Sequence, residues 1–234
     1  MEQTYQRRIL VRRDRGAIAV DLEDNFHRFE VLLGLRGDEV SAVTGTARRV
    51  PWATCPGALV ALQDLNGHDP RTPFVIDRES KATRHCTHLF DMAMLALDHL
   101  RLGIPSRDYR VSADGPRERE RITLAVDGRR VRTWELYGNR FVTPNEWRGH
   151  EVAKLRTLLS EDADPVAFLE QMVMRRAVHI SRGRFLDQDS WETAADLDAA
   201  PTCISFQPGI KASAVRIRGS ARDFTGRENQ LLAD

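Results

Sequence analysis

Cysteine is scarce in this chain: three thiols, Cys55, Cys86 and Cys203, in 234 residues. An odd count argues against a disulfide framework and leaves metal ligation, catalysis or plain burial. An excess of one charge is missing as well. Lysine and arginine (35) nearly cancel aspartate and glutamate (34), and a net charge of +1 gives no electrostatic drive toward nucleic acid or an anionic membrane. Aromatic residues make up 7% and are scattered, with no basic–aromatic stripe for single strands. No apolar run reaches the roughly 18 residues that a spanning helix needs. The opening stretch, Met1-Glu2-Gln3-Thr4-Tyr5-Gln6-Arg7-Arg8, lacks the apolar core of a signal peptide, so a cytoplasmic location is expected. Gly-x-x-x-x-Gly-Lys-Ser/Thr, Gly-x-Gly-x-x-Gly and Gly-x-Ser-x-Gly are all absent, which removes the usual support for nucleotide, dinucleotide and serine-hydrolase readings.

What is present is the composition of an ordinary globular protein, 41% hydrophobic and 29% charged. A chain of this length buries a sizeable core, as one large domain or two small ones. Two apolar runs, Ile9-Leu10-Val11 and Ala17-Ile18-Ala19-Val20, flank Asp14-Arg15-Gly16 and predict a hairpin. Strands over 27–33 and 40–48, broken at Arg36-Gly37-Asp38, extend it into an antiparallel meander. Pro56 suits the first position of a helix, which puts Cys55 at its N-cap, with Leu59, Leu62 and Leu65 as its stripe and Asn66-Gly67 as its stop. Residues 67–82 read as loop. A second helix is predicted from His85 to Leu102-Gly103, with Leu89, Phe90, Ala93, Leu97 and Leu100 on one face, Cys86 in the middle of it and His88 well off it.

Beyond Pro105 the pattern predicts strands at 109–112, 121–126 and 131–136, the last two joined by an Asp127-Gly128 turn. Helices follow over 145–160 and from Asp164-Pro165 onward, then irregular chain over 181–202, then strands at 202–206 and 214–218. The fold class is therefore α+β: an N-terminal antiparallel meander followed by helices over 1–104, and a C-terminal α+β half over 105–234, packed separately or as one domain.

Chemistry concentrates in His85-Cys86-Thr87-His88, where two imidazoles and a thiol open an apolar helix. Cys55 and Cys86 both fall at predicted helix starts, where unpaired amides and the helix dipole favour thiolate. With His27 at the head of a strand, they form a candidate zinc or iron site of His27, Cys55, Cys86 and either His85 or His88. Burial alone would account for one cysteine on an apolar face, but not for three adjacent ligand-capable side chains. Glu23 and Asp24, on the loop before His27, are candidates for general base or for orienting a ligand. Arg182 and Arg222 are candidates for holding a substrate carboxylate or phosphate. His68, His99, His150 and His179 lack such company, and Cys203 is read as core.

The order of parts resembles the iron–sulfur cluster scaffold and sulfur-acceptor superfamily. In that superfamily a loop residue, a helix-start cysteine and a His-Cys pair gather into one zinc- or cluster-binding site. The resemblance covers about the first hundred residues and would place that site on His27 (cysteine in the scaffolds), Cys55, His85 and Cys86. Phe26-His27-Arg28, Pro51-Trp52-Ala53-Thr54-Cys55 and Cys86-Thr87-His88-Leu89 also resemble a bacterial domain-of-unknown-function family with a Gly-Cys-Thr-His-Leu segment. That likeness favours His88 over His85, because the family has glycine at the position of His85.

The first functional expectation is a metalloenzyme of hydrolase or lyase type. A Cys/His-bound zinc or iron ion would activate water or the carbonyl of a small organic substrate held by an arginine. The second is a non-catalytic iron–sulfur cluster or sulfur carrier, and the third a structural zinc protein. Neither nucleic acid nor membrane is an expected partner, and a homo-oligomer is left open.

Overall fold

The computed structural model describes residues 3–37, 39–69, 71, 85–159 and 164–233. The sequence-predicted loop over 72–82, and Thr83 and Arg84 ahead of His85, lie outside these. The protein is α+β. Strands β1 (Tyr5–Arg13), β2 (Ala17–Asp24), β3 (Arg28–Arg36), β4 (Glu39–Arg49), β5 (Arg107–Asp114), β6 (Arg119–Val126), β7 (Arg129–Tyr137) and β8 (Arg140–Thr143) form an eight-stranded sheet in the order β4-β3-β2-β1-β5-β6-β7-β8. Strands β5 and β6 alternate buried and more exposed positions, the period-2 pattern of strands with one covered face, whereas β2 is buried throughout its second half. Among the described residues no helix is long and apolar enough to cross a membrane.

The chain divides into two compact units, one of 1–9, 107–187 and 223–234, the other of 10–106 and 188–222. Each takes segments from both halves of the sequence. The first holds the antiparallel run β5–β8 and helix α3 (Pro165–Ser181). The β6–β7 turn is Asp127-Gly128, both at positive φ (50° and 77°), the two-residue geometry that asks for Asp-Gly. Helix α3 starts as its sequence implies: Asp164 caps it through the Ala167 amide and Pro165 stands in the first turn. The predicted helix over 145–160 is instead broken into 3-10 turns at Asn145–Trp147 and Val152–Lys154 and the single turn α2 (Leu155–Leu158). Gly149, at φ +82°, interrupts it and donates to the Phe141 carbonyl, so the segment folds back beside β8. Strand β8 itself has no counterpart in the sequence reading.

The second unit holds β2–β4 with a 3-10 helix (Cys55–Leu65) and helix α1 (Thr87–Arg101) packed on them. Thr54, not Cys55, precedes the 3-10 helix, and Cys86 is the N-cap of α1. Gly45 on β4 admits the 3-10 helix closely, since a Cβ there would lie 2.8 Å from Leu59 Cδ2 and 3.1 Å from the Glu30 carbonyl oxygen. Helix α1 is covered on more than the one face its apolar pattern marks. His88, Met92, Leu95 and His99 are buried alongside Leu89, Ala93 and Leu97. The predicted strands at 202–206 and 214–218 do not form. Ile204–Phe206 is a 3-10 turn, and Val215 and Arg216 make single bridges to Thr193 and Trp52, because their segment bonds to loops rather than to a neighbouring strand.

Candidate metal centre

The β2–β3 hairpin closes on Asp24-Asn25-Phe26-His27, with Glu23 opposite Arg28 as its last paired residues. The Asp24 amide donates to the His27 carbonyl at 2.9 Å. Asp24 Oδ1 accepts the amides of Phe26 and His27, both at 2.8 Å, so the side chain imitates a backbone turn. The same oxygen lies 3.1 Å from His27 Nδ1. Asp24 is fully buried, and this turn is what holds it there.

His27 opens onto the face of β3 that carries Phe29, two residues on, with the rings stacked at 5.7 Å. From α1, His88 comes down on the same place: its ring centroid is 3.9 Å from that of His27 and 5.8 Å from that of Phe29. Its Nε2 is 3.9 Å from Asp24 Oδ2, and its Nδ1 is 4.0 Å from Cys86 Sγ. Potential ligand atoms of Asp24, His27 and His88 all lie within 4.8 Å of one another, and all three residues are buried. Ligand bonds of about 2.0–2.2 Å place neighbouring donors roughly 3–4 Å apart, so small side-chain rotations would gather the three on one ion. One carboxylate and two imidazoles suit zinc or ferrous iron, and three protein ligands leave coordination positions open.

The other sequence-predicted site residues are placed as follows. Cys86 stands behind His88, on Nδ1, where a partner fixes the ring's orientation and tautomer. Cys55 is buried with its sulfur 3.6 Å from Ser205 Oγ. His85 is buried with Nε2 4.0 Å from Asp64 Oδ2 and its ring 5.1 Å from Phe90. Both lie outside the Asp24–His27–His88 group. Helix starts do not make these sulfurs thiolates. Burial pushes the Cys55 thiol up to about 11 against the Ser205 hydrogen bond, and burial with the nearby Cys55 charge pushes Cys86 up as well. Cys203, read as core on a strand, is half-buried and precedes the 3-10 turn Ile204–Phe206.

Glu23, almost wholly buried, is enclosed by guanidinium groups: Arg49 at 3.1 Å, Arg28 and Arg222 at 4.0 Å. Those contacts tie the Glu23 carboxylate to arginines on several sides. Arg222 is 59% exposed, and its backbone amide donates to Asn25 of the turn at 2.7 Å. Arg182 belongs to the other unit, where its guanidinium binds Glu120 (3.1 Å), the Gly138 carbonyl and Asn139. No protein-family model matches the chain, and no curated protein does.

The sequence marks Asp24 as a general base or orienting group beside His27 and does not mark it as a candidate ligand, and it does not mark Arg49 at all. The signal for Asp24 was the Asp-x-x-His spacing across a hairpin, which the side-chain turn requires. Arg49 donates to the carbonyls of Asp24, Asn25, His27 and Ser220 and to Glu23 Oε1, a set of partners that only the fold assembles. A buried carbonyl left without such a donor costs about 1–3 kcal/mol.

Proposed function

We propose that Asp24, His27 and His88 hold a zinc or ferrous ion and that the protein is a metal-dependent enzyme of hydrolase or lyase type acting on a small organic substrate. The observation that carries this is one buried carboxylate and two buried imidazoles with ligand atoms within 4.8 Å of one another. When bound, the ion would polarise a carbonyl or lower the pKa of a water. Asp24 is prepared for its part because two amides fix Oδ1 and leave Oδ2 turned to His88. Cys86 orients His88 from behind, and Phe29 walls both imidazoles on an apolar side. The exposed guanidinium of Arg222, whose backbone amide is tied to the turn and which lies 4.0 Å from Glu23, is suited to a substrate carboxylate.

The alternative is a cluster or sulfur carrier built on Cys55 and Cys86, in keeping with the likeness of the meander and its two helices to the iron–sulfur scaffolds. In its favour, Cys55 and Cys86 are both buried within the same unit.

Metal analysis of protein purified without a histidine tag separates the two. The enzyme reading expects one zinc or iron per chain, lost in Asp24→Asn, His27→Ala and His88→Ala and retained in Cys55→Ser. Loss in Cys55→Ser with retention in His27→Ala, and a visible absorption band after iron–sulfide reconstitution, would transfer the function to the sulfurs. Substoichiometric metal in the wild type under every loading condition would end the metal reading.

A further inference from the structure

We propose that Arg49 is the positioning residue of this centre: its guanidinium fixes the backbone of the Asp24–His27 turn and thereby the placement of two of the three donor side chains. Its consequence for metal rests on the function proposed above, whereas the positioning itself is measurable without metal.

The turn takes donors from outside itself. A hairpin of this length would exchange two bonds between Asp24 and His27. Here the Asp24 amide donates to the His27 carbonyl, but the reciprocal His27 amide goes to Asp24 Oδ1. That substitution holds the carboxylate in place, and Arg49 Nη2 donates to the Asp24 carbonyl, to the His27 carbonyl at 3.2 Å and to Glu23 Oε1 at 3.1 Å. Nη1 takes the Asn25 carbonyl at 3.0 Å and the Ser220 carbonyl at 2.7 Å. One planar fork thus gathers three carbonyls of a four-residue turn, a pattern that the single ammonium of lysine does not reproduce.

The backbone delivers this side chain deliberately. Arg28 pairs with Arg49 but Phe29 pairs with Ala47, so β4 carries one extra residue opposite β3 at this step. Such a bulge turns side chains away from strict alternation. Arg48 turns out to Glu30 Oε1 at 2.6 Å, and Arg49 turns in to the turn with its side chain 10% exposed.

The test compares Arg49→Lys and Arg49→Ala with the wild type in the full chain. Amide hydrogen exchange of Phe26 and His27, read by NMR, should quicken about 10- to 100-fold in both variants while the β2–β3 ladder amides keep their protection. Zinc affinity, read by competition with a chromophoric chelator, should fall about 10- to 100-fold, the usual cost of losing a group that orients ligands. Added ethylguanidinium should restore part of it in Arg49→Ala and none in Arg49→Lys. Unchanged exchange at Phe26 and His27, or exchange that rises uniformly with a lower Tm, overturns the positioning role. Wild-type zinc affinity in a variant whose turn is loosened overturns it too. If the wild type itself takes up no zinc, the metal reading fails, and exchange at Phe26 and His27 still decides the role of Arg49.

Discussion

The imidazoles of His27 and His88 lie with their centroids 3.9 Å apart and their planes tilted by 33°, one just ahead of a strand and the other in the first turn of a helix. Apolar burial alone does not gather two imidazoles stacked on Phe29 and the buried carboxylate of Asp24. A ligand that binds the folded chain through this group stabilises it by mass action, by about 2.7 kcal/mol at a free concentration of 100 Kd. Zinc added to metal-free protein should therefore raise Tm by several degrees in the wild type. His88→Ala should show no rise, and Cys86→Ser a rise displaced to higher zinc. Equal rises in wild type and His88→Ala, measured by calorimetry, would place the binding elsewhere.

Thiol chemistry should separate the three cysteines. Cys55 and Cys86 are buried and pushed up, Cys55 to about 11, whereas Cys203 is half-buried. At pH 8 a disulfide reagent should label Cys203 first, and the other two only on unfolding. Because the folded-state value of Cys55 lies above the ordinary thiol value of 9.0, its contribution to stability is complete below pH 9 and lost as pH rises through about 11. That loss is worth about 2–3 kcal/mol. Urea midpoints measured from pH 8 to 11 should fall more steeply in the wild type than in Cys55→Ala.

The close approach at Gly45 gives a stability prediction without any metal. Gly45→Val inserts a branched side chain where a Cβ already meets Leu59, Leu62 and the Glu30 carbonyl. Overpacking of this kind costs about 1–3 kcal/mol, which outweighs the gain in strand propensity. A urea midpoint equal to that of the wild type would mean that the 3-10 helix shifts at no cost.

Much of this architecture is readable in the residues, because period-2 alternation and Asp-Gly turns act locally. β2, β3, β4, β6 and β7, the capped start of α3 and the helix after Cys86 follow from such signals. What local signals could not supply is the second buried side of α1. His88 falls off the stripe of Leu89, Ala93 and Leu97, yet it is buried because α1 rests on β2 and β3. The candidate site thus brings together His27 and His88, both singled out in the sequence, with Asp24, which a side-chain turn holds beside them. Cys55 and His85, close in sequence logic, face Ser205 and Asp64 instead. Position along the chain carries no information about Arg49, since its partners exist only once β4 carries its bulge.

The arginines of the other unit invite a last experiment. Glu120 is fully buried and bound by Arg184 at 3.0 Å and Arg182 at 3.1 Å. Arg184 is itself buried to a 1% exposed side chain, whereas Arg182 keeps 28%. Removing one member of a buried ion pair leaves the other charge uncompensated, at about 3–5 kcal/mol, while a partly exposed partner is replaced in part by water. Arg184→Ala should therefore destabilise the protein strongly and Arg182→Ala by a smaller amount. Glu120→Gln with Arg184→Met together should recover part of the loss, because neither then leaves a lone buried charge. Equal costs for the two single arginine variants in urea unfolding would show that Arg182 bears the Glu120 charge as fully as Arg184 does, and would argue against any second task for its guanidinium.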